Sequence, residues 1–305
     1  MRSSRPSKRF LTIGDTILDM VQPQQKGDST SYQPIGGGAI ANVSRHLAEA
    51  GHIVEFITAF SPDPFGVMLR QQLLSLGVRL SHAQTVVESQ TPLCFISNTD
   101  DGERFFLHRG GDPYRHLNVE ANTLDVSNFD YFVWGISSLR TAESRFLVDR
   151  VIDNTSALVV CDPGSCPDWW GQPQALKVHL LERLHRIDIL KCSLPEAQWL
   201  SGQTDPVDAT RWLAQKKCKW VITTMGCDGL YFCAQNEDNL THVAAKTVEA
   251  LDTTGAGDAT LAGFLDHLAT TPTLDINEKL VTALETGVQW GSKTVQFQGA
   301  GPWFF

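Results

Sequence analysis

The chain has 305 residues, 42% of them hydrophobic and 19% charged, with a formal net charge of −9. That composition belongs to a soluble globular protein with a sizeable core. The negative balance argues against nonspecific nucleic-acid binding and against docking on an anionic membrane. Cysteines at 94, 161, 166, 192, 218, 227 and 233 form no C-x-x-C pair. A disulfide framework or structural zinc site is therefore not expected, and reduced thiols in a cytoplasmic setting are. The basic lead-in Met1–Arg9 is followed by an apolar run that Gly14, Asp15 and Asp19 interrupt. Neither a signal sequence nor a membrane span is expected.

In chain order, Phe10–Ile13 reads as a buried strand ended by Gly14-Asp15. Thr16–Val21 continues with alternating character, and residues 22–33 are polar and turn-rich, as in strands that leave the main body and return. Gly36-Gly37-Gly38 then precedes a helix with apolar residues at Ile40, Val43, Leu47 and Ala50 and Gly51 as its stop. Ile53–Phe60 predicts a strand. Asp63-Pro64-Phe65-Gly66 opens a helix through Leu76, closed by Gly77. Thr91–Ser97 and Arg104–His108 read as a hairpin around the turn at 98–102. Strands are predicted at Tyr131–Trp134, Ala157–Cys161, Ile187–Leu190, Trp220–Thr224 and Leu230–Cys233. Helices are predicted between the first two of these, over Pro195–Leu200 and over Val207–Lys216. Such alternation predicts an α/β fold, a mostly parallel sheet with helices on both faces. The segments near 15–35 and 91–112 are expected to form a small β appendage.

The chemistry concentrates in Asp252-Thr253-Thr254-Gly255-Ala256-Gly257-Asp258, which leads into an apolar helical run. Thr254 stands where an N-cap belongs, Gly255 and Gly257 leave backbone N–H groups unobstructed, and Asp258 falls in the first turn. Free N–H groups at a helix start make an anion site. A carboxylate beside it is placed to take a proton from a nucleophile while the backbone holds developing charge. Phosphoryl transfer to an alcohol needs both. Capping alone accounts for Thr254, but not for two glycines that weaken a helix start.

Elsewhere each motif has a bland alternative. Gly36-x-Gly38-x-x-Ala41, with Glu55 downstream, formally matches a dinucleotide fingerprint and would suggest a nicotinamide dehydrogenase. The preceding Tyr32–Ile35 is too polar and proline-interrupted for the buried strand that fingerprint follows. A glycine turn approaching a small polar ligand, with Asn42 at the helix start, fits better; a plain strand-to-helix turn is the alternative. Asp15 ends the first strand, where α/β sheets bind ligands, and a carboxylate there accepts hydrogen bonds from sugar hydroxyls. Asp19 is balanced between that role and a solvated turn. Arg109 ends the appendage hairpin and is, on its own, a weak pointer to a cleft. Ser193 and Glu196 have capping-box spacing; a magnesium or phosphate-water role for Glu196 is the sharper option. Thr224–Gly229 is either a hairpin turn or a loop meeting nucleotide phosphates.

Together these residues resemble the PfkB, or ribokinase-like, family of carbohydrate kinases over nearly the whole chain. Gly37-Gly38-Ala39-Ile40-Ala41-Asn42 is similar to its G-G-x-x-x-N signature, and Asp252–Asp258 matches its D-T-T-G-A-G-D signature at every position. The resemblance implies one kinase domain over 1–305, a ribokinase-like three-layer sandwich with a small β-sheet lid, ATP as donor with Mg2+, and a sugar hydroxyl as acceptor. It implies Asp258 as base and Gly255, Ala256 and Gly257 as a backbone anion hole. Asp15, Gly37, Gly38 and Asn42 would hold the sugar, with Arg109 reaching from the lid. Ser193, Glu196, Thr224, Gly226 and Gly229 would line the nucleotide site, Glu196 organising magnesium through water. Asp252 and Thr254 would hold a monovalent cation such as K+ through the backbone.

The family's N-x-x-E motif appears here as Ser193-x-x-Glu196, a variant frequent in fructokinases. Asp162-Pro163-Gly164-Ser165-Cys166, with Trp169-Trp170, resembles the D-P-N-x-R…W segment of fructokinases and 2-keto-3-deoxygluconate kinases, with glycine for asparagine and cysteine for arginine. A fructokinase-like acceptor leads, with 2-keto-3-deoxygluconate, ribose or a nucleoside as alternatives and a non-catalytic sugar sensor as a different class. The open face of a β lid also invites pairing of two copies.

Overall fold

The computed structural model describes residues 6–22, 31–99, 102–108, 111–119, 124–164, 172–237, 239–271 and 276–300. The chain begins with β1 (Arg9–Ile13), β2 (Ile17–Val21), β3 (Gln33–Gly37), α1 (Ala39–Glu49), β4 (Ile53–Ile57), β5 (Ala59–Phe60) and α2 (Pro64–Ser75). The middle adds β6 (Gln84–Thr85), β7 (Leu93–Thr99), β8 (Gly102–His108), β9 (Tyr131–Trp134), α3 (Ala142–Asn154), β10 (Leu158–Cys161) and α4 (Pro173–Leu181). The last third contributes β11 (Ile189–Ser193), α5 (Leu194–Ser201), α6 (Pro206–Ala214), β12 (Trp220–Thr224), β13 (Leu230–Ala234), β14 (Thr241–Val243), α7 (Ala256–Thr270) and α8 (Ile276–Thr294).

Eight strands form the central sheet in the order β14-β13-β12-β11-β10-β9-β1-β4. It is parallel from β4 to β12, and β13 and β14 run antiparallel at one edge. Side chains alternate across a strand. Leu11, Ile13, Phe132 and Trp134 therefore enter one core with Leu147, Leu176, Leu200 and Leu213 of α3–α6. Phe10, Val133, Val160 and Ile189 enter the other, with Val43, Leu69, Phe264 and Leu284 of α1, α2, α7 and α8. Coverage on both faces is why the strands read as near-continuous apolar runs.

A separate sheet in the order β3-β2-β7-β8 is built from the two segments expected to form the appendage. β2 and β7 pair in parallel, flanked by antiparallel β3 and β8. Val21, Cys94 and Ile96 give it a small apolar face of its own. β5 and β6 form a short parallel ribbon apart from both sheets. Arg109, Ser165, Cys166 and Trp169-Trp170 lie outside the described residues.

The helix at Gly38–Gly51 and the one opened by Asp63 match expectation; the Asp63 carboxylate caps α2 by accepting from the N–H groups of Phe65 and Gly66. β11 begins later than the strand expected from Ile187. A 3₁₀ turn, Leu184–Arg186, comes first, closed by the Ile187 N–H on the Leu184 carbonyl at 3.1 Å. The shift puts Lys191 in mid-strand and Ser193 at the strand end. α4 and α8 fall where no element was expected. Among the described residues no helix is long and apolar enough to cross a membrane, and the described cysteines are free thiols.

The parallel strands bring Asp15, Asp162, Ser193 and Thr224 to one edge of the sheet, each at or just past a strand's carboxyl end. The chain order reverses at β1, which lies between β4 and β9. Open α/β sheets bind ligands at such a point.

Candidate active site

Asp252 shapes the approach to α7. Its buried carboxylate accepts from the Thr254 N–H at 2.9 Å and from the Gly299 N–H at 2.7 Å, tying the loop to the segment after α8. The helix start differs from expectation in one respect. Gly255, not Thr254, is the N-cap, at φ 74° in the left-handed region that glycine adopts freely. A Cβ there would also overlap Ala300. No side chain caps α7; the Ala256 N–H donates to the Thr253 carbonyl at 3.2 Å, and no capping side chain takes the amides that follow it, as an anion site at a helix start requires. Thr254 Oγ1 is buried without a hydrogen-bond partner.

Asp258 follows in the first turn and is buried. Asn42 Nδ2, from the first turn of α1, donates to its Oδ2 at 2.8 Å. Burial raises the Asp258 pKa, opposed by the Lys191 charge and the Asn42 hydrogen bond, while Glu196 pushes it further up and Arg45 pulls it down. The carboxyl is thus held above its ordinary range, toward the working pH of a general base.

Lys191 projects from β11 and donates to Asp162 Oδ2 at 2.9 Å, with both side chains almost fully buried. Its ammonium stands 2.8 Å from where a Cβ on Gly257 would be. Gly257 is therefore what lets a fixed positive charge sit beside the amide cradle. Burial disfavours the ammonium, but the carboxylates of Asp162, Asp258 and Glu196 outweigh it and raise its pKa. Asp162 Oδ1 has no hydrogen-bond partner.

On the side expected to hold the sugar, Gly37 ends β3 and a Cβ on it would overlap the Asp19 carboxylate. Gly38 turns into α1 at φ 106° over the Asp15 carbonyl oxygen. Asp15, Gly37, Gly38 and Asn42 are thus gathered at one place. Asp19, balanced on sequence grounds, is buried at 4% exposure rather than solvated. Burial raises its pKa to about 7, with Arg45 opposing and Asp258 and Asp252 adding to the rise. The glycines Gly36 and Gly37 lie in the small sheet, not on a strand of the central one, so the dinucleotide fingerprint lacks its structural context.

On the side expected to meet nucleotide, Ser193 and Thr224 are cross-strand neighbours. Glu196 Oε2 accepts from the Ser193 N–H at 2.7 Å and its hydroxyl at 2.8 Å, the capping arrangement its spacing suggested. Gly226 and Gly229 turn the β12–β13 hairpin, with the Met225 N–H on the Gly229 carbonyl at 2.7 Å. Both local readings are realised, and both loops open at the edge where β11 and β12 end.

Sequence reasoning missed Lys191, Asp162 and Arg45 as site residues. A lysine flanked by Ile189, Leu190 and Cys192 is itself a signal, since a buried ammonium needs a partner.

A pfkB family carbohydrate kinase model matches residues 7–303. The fructokinase of Escherichia coli is 27% identical over 301 residues, covering 96% of this chain and 95% of that protein. Among solved structures, fructokinase from Vibrio cholerae O395, in fructose, ADP and calcium ion bound form, superposes with a TM-score of 0.83 at 22% identity, covering 96% of this chain and 94% of that one. Aminoimidazole riboside kinase from Salmonella enterica, complexed with aminoimidazole riboside and an ATP analog, gives 0.81 at 24% identity, covering 96% and 95%. The two structures share the ribokinase-like fold, with its mostly parallel sheet and small second sheet. With the Asp252–Asp258 turn, the Gly37–Asn42 turn and a family match over almost its whole length, the chain belongs to the pfkB family of carbohydrate kinases, phosphotransferases that act on an alcohol group.

Proposed function

We propose that this sugar kinase transfers the γ-phosphoryl group of ATP to a hydroxyl of fructose, with Asp258 as general base. The observation that carries the reading is the Asp258 carboxylate in the first turn of an uncapped helix, oriented by Asn42 and flanked by Lys191. The acceptor O–H gives its proton to Asp258 while its oxygen bonds to the γ-phosphorus. The bond to the β,γ-bridging oxygen breaks in line, and ADP leaves. The Gly255, Ala256 and Gly257 amides and the Lys191 ammonium take up charge on the transferring group. Asp15, Gly37, Gly38 and Asn42 form the acceptor side. Ser193, Glu196, Thr224, Gly226 and Gly229 form the nucleotide side. The small sheet acts as a lid that excludes water, the competing acceptor.

The residues fit the expected cations. Asp162, with its buried unpartnered Oδ1, and Glu196 would hold Mg2+, in part through water. Asp252 and Thr254, whose buried Oγ1 is likewise unpartnered, would hold K+ with neighbouring carbonyls. Bound magnesium would offset phosphate charge.

A riboside acceptor is the second reading. Gly164, at φ 63° and packed on Ala39, leaves the acceptor side without the polar side chain that fructokinases place there. ADP release across fructose, ribose, 2-keto-3-deoxygluconate and nucleosides decides between them, with the highest kcat/KM expected for fructose. If no acceptor raises release above an Asp258→Asn control, while sugars still bind, the chain is a sensor rather than a kinase.

A further inference from the structure

Arg45 lies in α1, three residues after Asn42, and is 6% exposed. A guanidinium buried this deeply costs free energy unless it is used. Its Nη2 donates to Asn42 Oδ1 at 2.6 Å. Arginine has only donors, so the amide oxygen of Asn42 must face it. The NH2 of Asn42 is then committed to the opposite side, where it donates to Asp258 Oδ2 at 2.8 Å. Without that constraint the amide could turn and present an oxygen to a carboxylate, a repulsive pairing. The other face of Arg45 looks toward the small sheet, with Nη1 3.7 Å from a Cβ position on Gly36. There its charge opposes the rise in the Asp19 pKa.

We propose that Arg45 is a positioning residue. It locks the Asn42 amide in the orientation that donates to Asp258. The inference rests on the reading of Asp258 as the base, but its geometry is independent of any substrate. The charged and titratable groups around this relay are Asp19 on β2, His46 and Glu49 on α1, Asp162 after β10, Lys191 on β11, Glu196 on α5 and Asp252 before α7. Burial and the adjacent Arg45 keep His46 neutral, its pKa well below the usual range. Burial lowers the Arg45 pKa to about 10, with Asp19, Glu49 and Asp258 opposing, so it remains charged at neutral pH.

The decisive measurement is the pH titration of the Asp258 carboxyl carbon by NMR in the unliganded protein, assigned by its loss in Asp258→Asn. Arg45→Met is expected to raise the midpoint by about one pH unit, because the ionised carboxylate loses a donor and a nearby cation. In an Asn42→Ala background the same substitution is expected to move it far less. Arg45→Lys should restore part of the wild-type midpoint. Should Arg45→Met fail to fold, Arg45→Met/Asp19→Asn removes both buried charges together and is compared with Asp19→Asn alone. An unchanged midpoint, or an equal shift with and without Asn42, overturns the relay. In turnover, Arg45→Met is expected to lower kcat about 10-fold, a loss of the orientation that acid–base catalysis needs. A wild-type protein without turnover would defeat the kinase reading while the titration still decides the role of Arg45.

Discussion

At the ends of β11 and β12, Ser193 and Glu196 close a capping box while Gly226 and Gly229 turn a hairpin. Around Asp258, by contrast, Asn42, Lys191, Asp162, Arg45 and Asp19 are buried without any task in secondary structure. On the proposed nucleotide side, the groups that complete a helix start or a turn are the ones assigned to phosphates, so structure and binding would use the same atoms. On the acceptor and catalytic side, buried charges balance one another, an arrangement that apolar side chains would replace more stably. On the proposed function, what would retain it is the chemistry of a proton and a phosphoryl group.

That contrast breaks if the buried cluster proves silent. Asp258→Asn is expected to lower kcat by about 10³-fold, the usual scale for a general base, with the fold intact by circular dichroism. A variant within a few-fold of wild type would remove Asp258 from the chemistry. Next in size, Lys191→Met leaves Asp162 buried and unpaired and should cost about 3 kcal/mol in chemical denaturation. Lys191→Met/Asp162→Leu should recover most of that stability but not the ADP release. If activity returns with stability, the pair is structural only.

Asp19→Asn probes the same side through pH. The folded state raises this carboxyl to about 7, so it favours the protonated form. The stability contributed by that proton is present below the ordinary carboxylate range and is lost as pH rises toward 7. Asparagine has no such loss. The variant should match wild type near pH 4 and be the more stable at pH 8, by about 1.4 kcal/mol for each unit by which the folded state raises the carboxyl. Equal stability at both pH values would mean that Asp19 is solvated. The smallest effect sharpens the other side: Ser193→Ala should cost about 1 kcal/mol as a lost cap. An accompanying rise in KM for ATP would show that the serine also meets nucleotide; an unchanged KM would confine it to capping.

How much of this was legible follows the same division. The Asp252–Asp258 turn is contiguous, so its glycines and carboxylate declare an anion site before any tertiary contact is known. Thr254 looked like the cap because side-chain capping is the local rule, yet Gly255 takes the position by adopting φ 74° against Ala300, a packing contact no short window contains. The alternating strands were visible as apolar runs, whereas the onset of β11 was decided by the 3₁₀ turn before it. The partnership of Lys191 with Asp162 depends on β10 and β11 being neighbours in the sheet. Arg45 and Asn42 are visibly one helical turn apart, but which of them faces Asp258 required the packing of α1 on α7.

The tie from Asp252 to Gly299 spans 47 positions of sequence, with α7 and α8 in between. Closing so long a loop costs chain entropy that is recovered only when the intervening helices pack. The shape of the Asp252–Asp258 turn therefore depends on α7 and α8 being docked, although the turn itself is contiguous in sequence.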